Sequence, residues 1–77
     1  MTDYVIECYE KHAKRPYRIM RLSLPARERP TYADSKQCFN YELKDVQRVK
    51  IKYANNSKVV GTSYIDVNGN KRIKWKN

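Results

Sequence analysis

Glycine is scarce here: Gly61 and Gly69 are the only two in 77 residues. A glycine-rich phosphate cradle therefore has no place in the chain. Histidine is represented by His12 alone, and cysteine by Cys8 and Cys38. A four-ligand zinc site lacks its donors and a disulfide framework lacks its pairs, so no metal or cofactor is expected. The expectation for the cysteines is two free, partly buried thiols in a reducing cytosol, with a single Cys8–Cys38 disulfide as the alternative. No stretch approaches the roughly 18 apolar residues of a membrane-crossing helix. Met1-Thr2-Asp3 has neither the basic flank nor the apolar run of a secretory signal. These absences predict a cytoplasmic chain with no membrane partner.

Catalysis finds little support. His12 lies in a charged connection. Cys38, His12 and an aspartate can be drawn as a nucleophilic site, yet nothing in their spacing requires it. The length fits one domain, residues 1–77, with a modest core and little room for a deep cavity. A non-enzymatic protein is the expectation.

What the chain has is positive charge. Seventeen Lys/Arg stand against eight Asp/Glu, a net charge of +9, and residues 44–77 hold +7 of it. The charge is patterned. Arg48, Lys50 and Lys52 alternate with Val49, Ile51 and Tyr53, and Arg72, Lys74 and Lys76 alternate with Ile73 and Trp75. Alternation with period two marks half-buried strands, apolar on one face and basic on the other.

The remaining elements follow from similar signals. Residues 3–9 and 17–24 read as strands, joined by a polar connection and simplest to pair as a hairpin. Pro25 and Pro30 bracket an exposed loop carrying Arg27, Glu28 and Arg29. Thr31 and Asp34 look like a helix start. Tyr32, Phe39 and Leu43 fall on one helical stripe, which predicts a helix over 32–42. Strands follow at 46–53, 58–66 and 71–76, with turns at Asn55-Asn56 and Asn68-Gly69. The predicted fold is α+β: a five-stranded antiparallel sheet with one helix on one face, in the order ββαβββ.

In that fold strands three and five flank strand four, and their basic sides face the same way. Cations would stand about 6.6 Å apart along a strand and about 9.6 Å apart between these strands. Arg48, Lys50, Lys52, Lys71, Arg72, Lys74 and Lys76 are the candidate contacts to nucleic acid or to an acidic surface. Six phosphate contacts give a salt slope of roughly −5 on duplex DNA through counterion release. The plain alternative is a solvated face whose edge lysines block aggregation. Tyr53 and Trp75 fall in the apolar register, so no aromatic–basic signature of a single-strand-binding sheet is read, and backbone contact without base readout is expected. Tyr64 is assigned either to the core or to the cations.

Two segments carry a family resemblance: Ser35-Lys36-Gln37-Cys38-Phe39, and Gly69-Asn70-Lys71-Arg72-Ile73-Lys74-Trp75. They resemble the Ser-Lys-Glu-Gln-Cys-Phe and Gly-Lys-Arg-Trp stretches of a small phage and prophage anti-CRISPR family that inhibits the type I-F surveillance complex. The resemblance covers about the last 45 residues. It implies two strands, a helix and three strands, acting in the cytoplasm of a host bacterial cell without catalysis. It also implies a partner, the backbone Cas subunits of a CRISPR-Cas effector complex along the path of target DNA. The contact lysine of that motif corresponds to Lys36, with Gln37 beside it. Pro25 and Pro30 depart from the family, which is helical there, and Arg27 and Arg29 are the candidates for the upstream charges. The alternative is a small basic protein that binds nucleic acid directly and without sequence preference. Either suits a monomer, or a dimer paired through the final strand.

Overall fold

The computed structural model describes residues 1–39 and 48–76, with the side chains of residues 36–39 outside that description. The elements are β1 (Thr2–Tyr9), β2 (Arg18–Leu24), α1 (Tyr32–Phe39), β3 (Arg48–Tyr53), β4 (Val59–Ile65) and β5 (Lys71–Trp75). All five strands join one antiparallel sheet in the order β2-β1-β3-β4-β5. Among the described residues strand predominates, with one short helix. The spatial order differs from the chain order, because β1 lies between β2 and β3.

Residue composition explains that placement. In β2 only alternate residues, Met20, Leu22 and Leu24, turn toward the core, as suits an edge. In β1 the run Ile6 to Tyr9 is buried on both faces, as suits an interior strand. The β1–β2 hairpin turns through Glu10–Ala13, where the Ala13 N–H donates to the Glu10 carbonyl at 3.1 Å and His12 takes φ of 66°. His12 is exposed on this turn.

The core lies on one face. Tyr4, Ile6 and Cys8 from β1 meet Val49 and Ile51 from β3, and Tyr32 of α1 joins them. Ile6 stands opposite Ile51, and both are fully buried. Each such side chain contributes about 1.5–3 kcal/mol relative to exposure. Tyr4 stacks on Tyr53 and meets Trp75 edge-on, with ring centroids at 5.8 and 6.3 Å. Gly61 makes room for this: a Cβ there would lie 2.9 Å from Ile73 Cγ2 and 3.3 Å from Trp75 Cε3.

One irregularity decides which way β4 presents its side chains. Ile51 pairs with Gly61, yet Lys52 pairs with Val59, so Val60 is an extra residue in a β-bulge. Val60 is thereby turned into the core. Beyond the bulge, Gly61 and Ser63 share the core face, and Thr62 and Tyr64 share the other.

The helix starts as the sequence indicates. The Thr31 N–H donates to Asp34 Oδ2 at 2.6 Å, satisfying a donor at the positive end of α1. Of the expected stripe, Tyr32 is buried; residues 40–42 of the expected helix, Leu43, and residues 46–47 of the expected third strand lie outside the described residues. Cys8 is fully buried rather than partly so, and Cys38 falls among the side chains outside the description. Among the described residues, no helix is long and apolar enough to cross a membrane.

Candidate interface on the helix-free face

Pleating puts alternate residues of each strand on the side away from α1. The register there gives rows across the sheet. Ile19 faces Glu7, Glu7 faces Lys50, Lys50 faces Thr62 and Thr62 faces Lys74. One position along, Arg21, Val5 and Lys52 form a second row. On the other side, Tyr9 faces Arg48, and Tyr64 faces Arg72. The meander β3-β4-β5 thus brings Arg48, Lys50, Lys52, Arg72 and Lys74 onto one surface. Lys76 continues the alternation, since its N–H donates to the Val60 carbonyl at 2.8 Å and keeps the pairing beyond β5.

Lys71 is separated from this group. It shares the register of Ile73 and Trp75, and its ammonium lies 5.4 Å from the centroid of the Tyr32 ring on the helix side. Arg29 also lies on that side, its guanidinium 5.1 Å from the Trp75 centroid, and Arg27 is exposed in the same loop. Lys36 and Gln37 fall on α1, with side chains outside the described residues. The residues assigned by resemblance and the residues assigned by charge alternation therefore occupy opposite sides of the sheet where both are described.

Carboxylates shape the basic face. Glu7 is buried, accepts the Tyr9 hydroxyl at 2.9 Å and pairs with Lys52 Nζ at 3.0 Å. Neither β3 nor β5 contributes it; β1 does, by lying next to β3. Arg48 and Lys50 both cover the Tyr9 ring, at 4.9 and 5.1 Å from its centroid. Burial raises the Tyr9 phenol pKa, the hydrogen bond to Glu7 and its charge raise it further, and Arg48 opposes them. Arg48 additionally donates to the Ala13 carbonyl, fixing the first connection against β3.

A second carboxylate sits in the β4–β5 turn. Gly69 at φ 81° and the Gly69 N–H to Asp66 carbonyl bond make a three-residue loop of the kind that ends in a glycine bulge. Asp66 Oδ1 accepts the Asn68 and Asn70 N–H groups at 2.9 Å, and Oδ2 accepts Arg72 Nε at 2.5 Å. The Arg72 bond is the chief reason the Asp66 carboxyl lies below its ordinary range. Two cations of the face are thus held by acids, Lys52 by Glu7 and Arg72 by Asp66. Among the described residues Arg48, Lys50 and Lys74 have no carboxylate partner.

Sequence reading left Tyr64 between two sides. It stands on the basic face, 44% exposed. Tyr9 is a second aromatic of that face, buried beneath two cations. Tyr53 and Trp75 fall on the core side as their register predicts, while Tyr9 and Tyr64 stand with the cations. The side of Tyr64 depends on the bulge at Val60.

Among the described residues, a hollow of about 670 Å³ near Asp3, Arg21 and Asn56 and one of about 440 Å³ between Tyr32 and Trp75, which Tyr64 and Arg72 also line, have mixed linings. Among the described residues no group of three His, Cys, Asp or Glu side chains is placed to hold a metal ion. Compared with known proteins, the chain matches no family model, no curated protein and no solved structure.

Proposed function

We propose that this protein acts by binding rather than by catalysis, as a phage-type inhibitor of a host CRISPR surveillance complex of type I-F. The observation that carries the binding reading is the helix-free face, where β3 and β5 align cations whose neighbouring acids are already engaged. The choice of partner rests on the two motif segments around Lys36 and Arg72. A cationic protein lodged in a DNA path binds acidic side chains of the backbone Cas subunits there and denies the path to the target strand.

The test is target-DNA binding by a purified type I-F complex with this protein in molar excess. Loss of target binding, relieved by Lys36→Glu together with Arg29→Glu, is the expected result. Unchanged target binding sinks the proposal.

One observation favours a second reading, direct binding of nucleic acid. Tyr64 exposes its ring beside Arg72 and near Lys74, an aromatic on which a base can stack amid cations. Direct binding needs no Cas partner, weakens steeply with salt and is lost when Lys50, Lys52 and Lys74 are reversed to Glu.

A further inference from the structure

We infer that the helix-free face binds an unpaired nucleic-acid strand, with Tyr64 as the stacking platform for a base and Arg48, Lys50 and Lys74 as the phosphate contacts. This rests on reading the basic face as the contact surface, and it names the ligand class of that face.

Three observations combine. First, the Tyr64 ring is uncovered. Among the described residues no cation lies over it: Arg48 and Lys50 cover Tyr9 instead, and Asp66 holds Arg72 at 2.5 Å. An open aromatic face amid cations is what a planar, electron-rich base stacks on. Second, the cations surround it. Arg72 stands opposite Tyr64, and the next position on the same face, Thr62, lies between Lys50 and Lys74. Lys50 and Lys74 are two strand spacings apart, about 9.6 Å, so a backbone crossing β3 to β5 at Thr62 meets a cation on each strand, one same-face position along β4 from the ring. Third, the surface is a sheet face from which α1, packed on the other side, is absent. A single strand can lay an unpaired base flat on such a face, whereas the paired bases of a duplex are already stacked and offer the ring no free face.

The experiment is fluorescence anisotropy with the full chain and three probes of about 15 units: oligo(dT), oligo(rU) and a mixed duplex, each at low and at physiological salt. The single strands are expected to bind more tightly than the duplex, and the DNA and RNA arms identify which strand is preferred. Tyr64→Ala should weaken single-strand binding about tenfold or more and leave duplex binding within a factor of about two, while Tyr64→Phe retains wild-type affinity. Tyr64→Thr, a strand-favouring residue without a ring, repeats the loss in a sheet of undisturbed propensity. Equal loss on duplex and single strand, no loss in either ring-deleted variant, or binding to poly-glutamate alone would overturn the inference. The complex-inhibition assay run on the same variants separates the two ideas: inhibition that survives Tyr64→Ala breaks only this one if strand binding is absent, and a strand binder that never inhibits breaks only the other.

Discussion

On the helix side of the sheet, Ile6, Cys8, Val49 and Ile51 are at most 1% exposed; on the opposite side of the same sheet, Ile19 is 59% exposed and Tyr64 44%. Both faces are built by one set of backbone hydrogen bonds and differ only in which residues the pleat sends each way. The helix side concentrates the apolar burial. The other side carries cations that add self-repulsion and contribute nothing comparable to folding. Side chains that weaken a small domain need another explanation than stability, and that is why the basic face, rather than either hollow, is the functional candidate.

The contrast is sharpest when each face is damaged separately. Ile51→Ala removes a fully buried side chain opposite Ile6 and should cost about 2–5 kcal/mol, enough to unfold much of a domain this size. Lys74→Glu should leave the melting temperature near wild type while reducing polyanion affinity about tenfold; Arg48 and Lys50 are spared because both cover Tyr9 and Arg48 donates to the Ala13 carbonyl. Thermal melts and anisotropy titrations on both variants read the two effects. If the charge-reversed variant unfolds, the division of labour between the faces is wrong.

Much of this division was legible in the sequence. Alternating cations in 48–52 and 72–76 marked the two basic strands, and the turns at Asn55-Asn56 and Asn68-Gly69 made β3, β4 and β5 a meander. Lys71, grouped with Arg72 and Lys74 from the sequence, instead lies in the register of Ile73 on the helix side. What stayed hidden was long-range. No local signal says that β1 lies beside β3, so Glu7 could not be seen as the acid of the basic face. The run Val59-Val60-Gly61-Thr62-Ser63-Tyr64 has no clean alternation, because a bulge consumes Val60, and the side taken by Tyr64 follows from that bulge. Residues 40–47 carry part of the expected helix and strand, and lie outside the described residues.

Alkaline titration probes the helix side more gently. Burial is the main cause that lifts the Tyr32 phenol from 10.0 to about 12, with the Cys8 and Tyr17 charges adding to it. The folded state thus holds this proton more tightly than the unfolded chain does. That contribution to stability is whole below pH 10 and is lost as pH rises toward 12. Chemical denaturation across this window should show wild-type stability falling. Tyr32→Phe, which keeps the ring without the proton, should flatten that fall. Tyr9, also raised, leaves a residual slope in the variant. A slope unchanged by Tyr32→Phe would place the titration elsewhere.

The smallest expected effect bears on how the two faces exchange charge at the β4–β5 turn. Asp66 divides its work by oxygen: Oδ1 accepts the Asn68 and Asn70 N–H groups, and Oδ2 accepts Arg72 Nε. Asp66→Asn keeps an oxygen for the turn and replaces the Arg72 acceptor with an amide that cannot pair with it. The hairpin should therefore persist with little change in melting temperature, since the ion pair is exposed and screened. The depressed Asp66 pKa means that the pair's contribution is present above the ordinary carboxylate range and lost as pH falls through the lowered value, so wild type and variant should converge in acid. Arg72, released onto the basic face, becomes available to a phosphate. The variant should bind a single strand more tightly, with a salt slope steeper by about one. A slope that stays the same would remove Arg72 from the contact surface and confine binding to the β3 cations and Lys74.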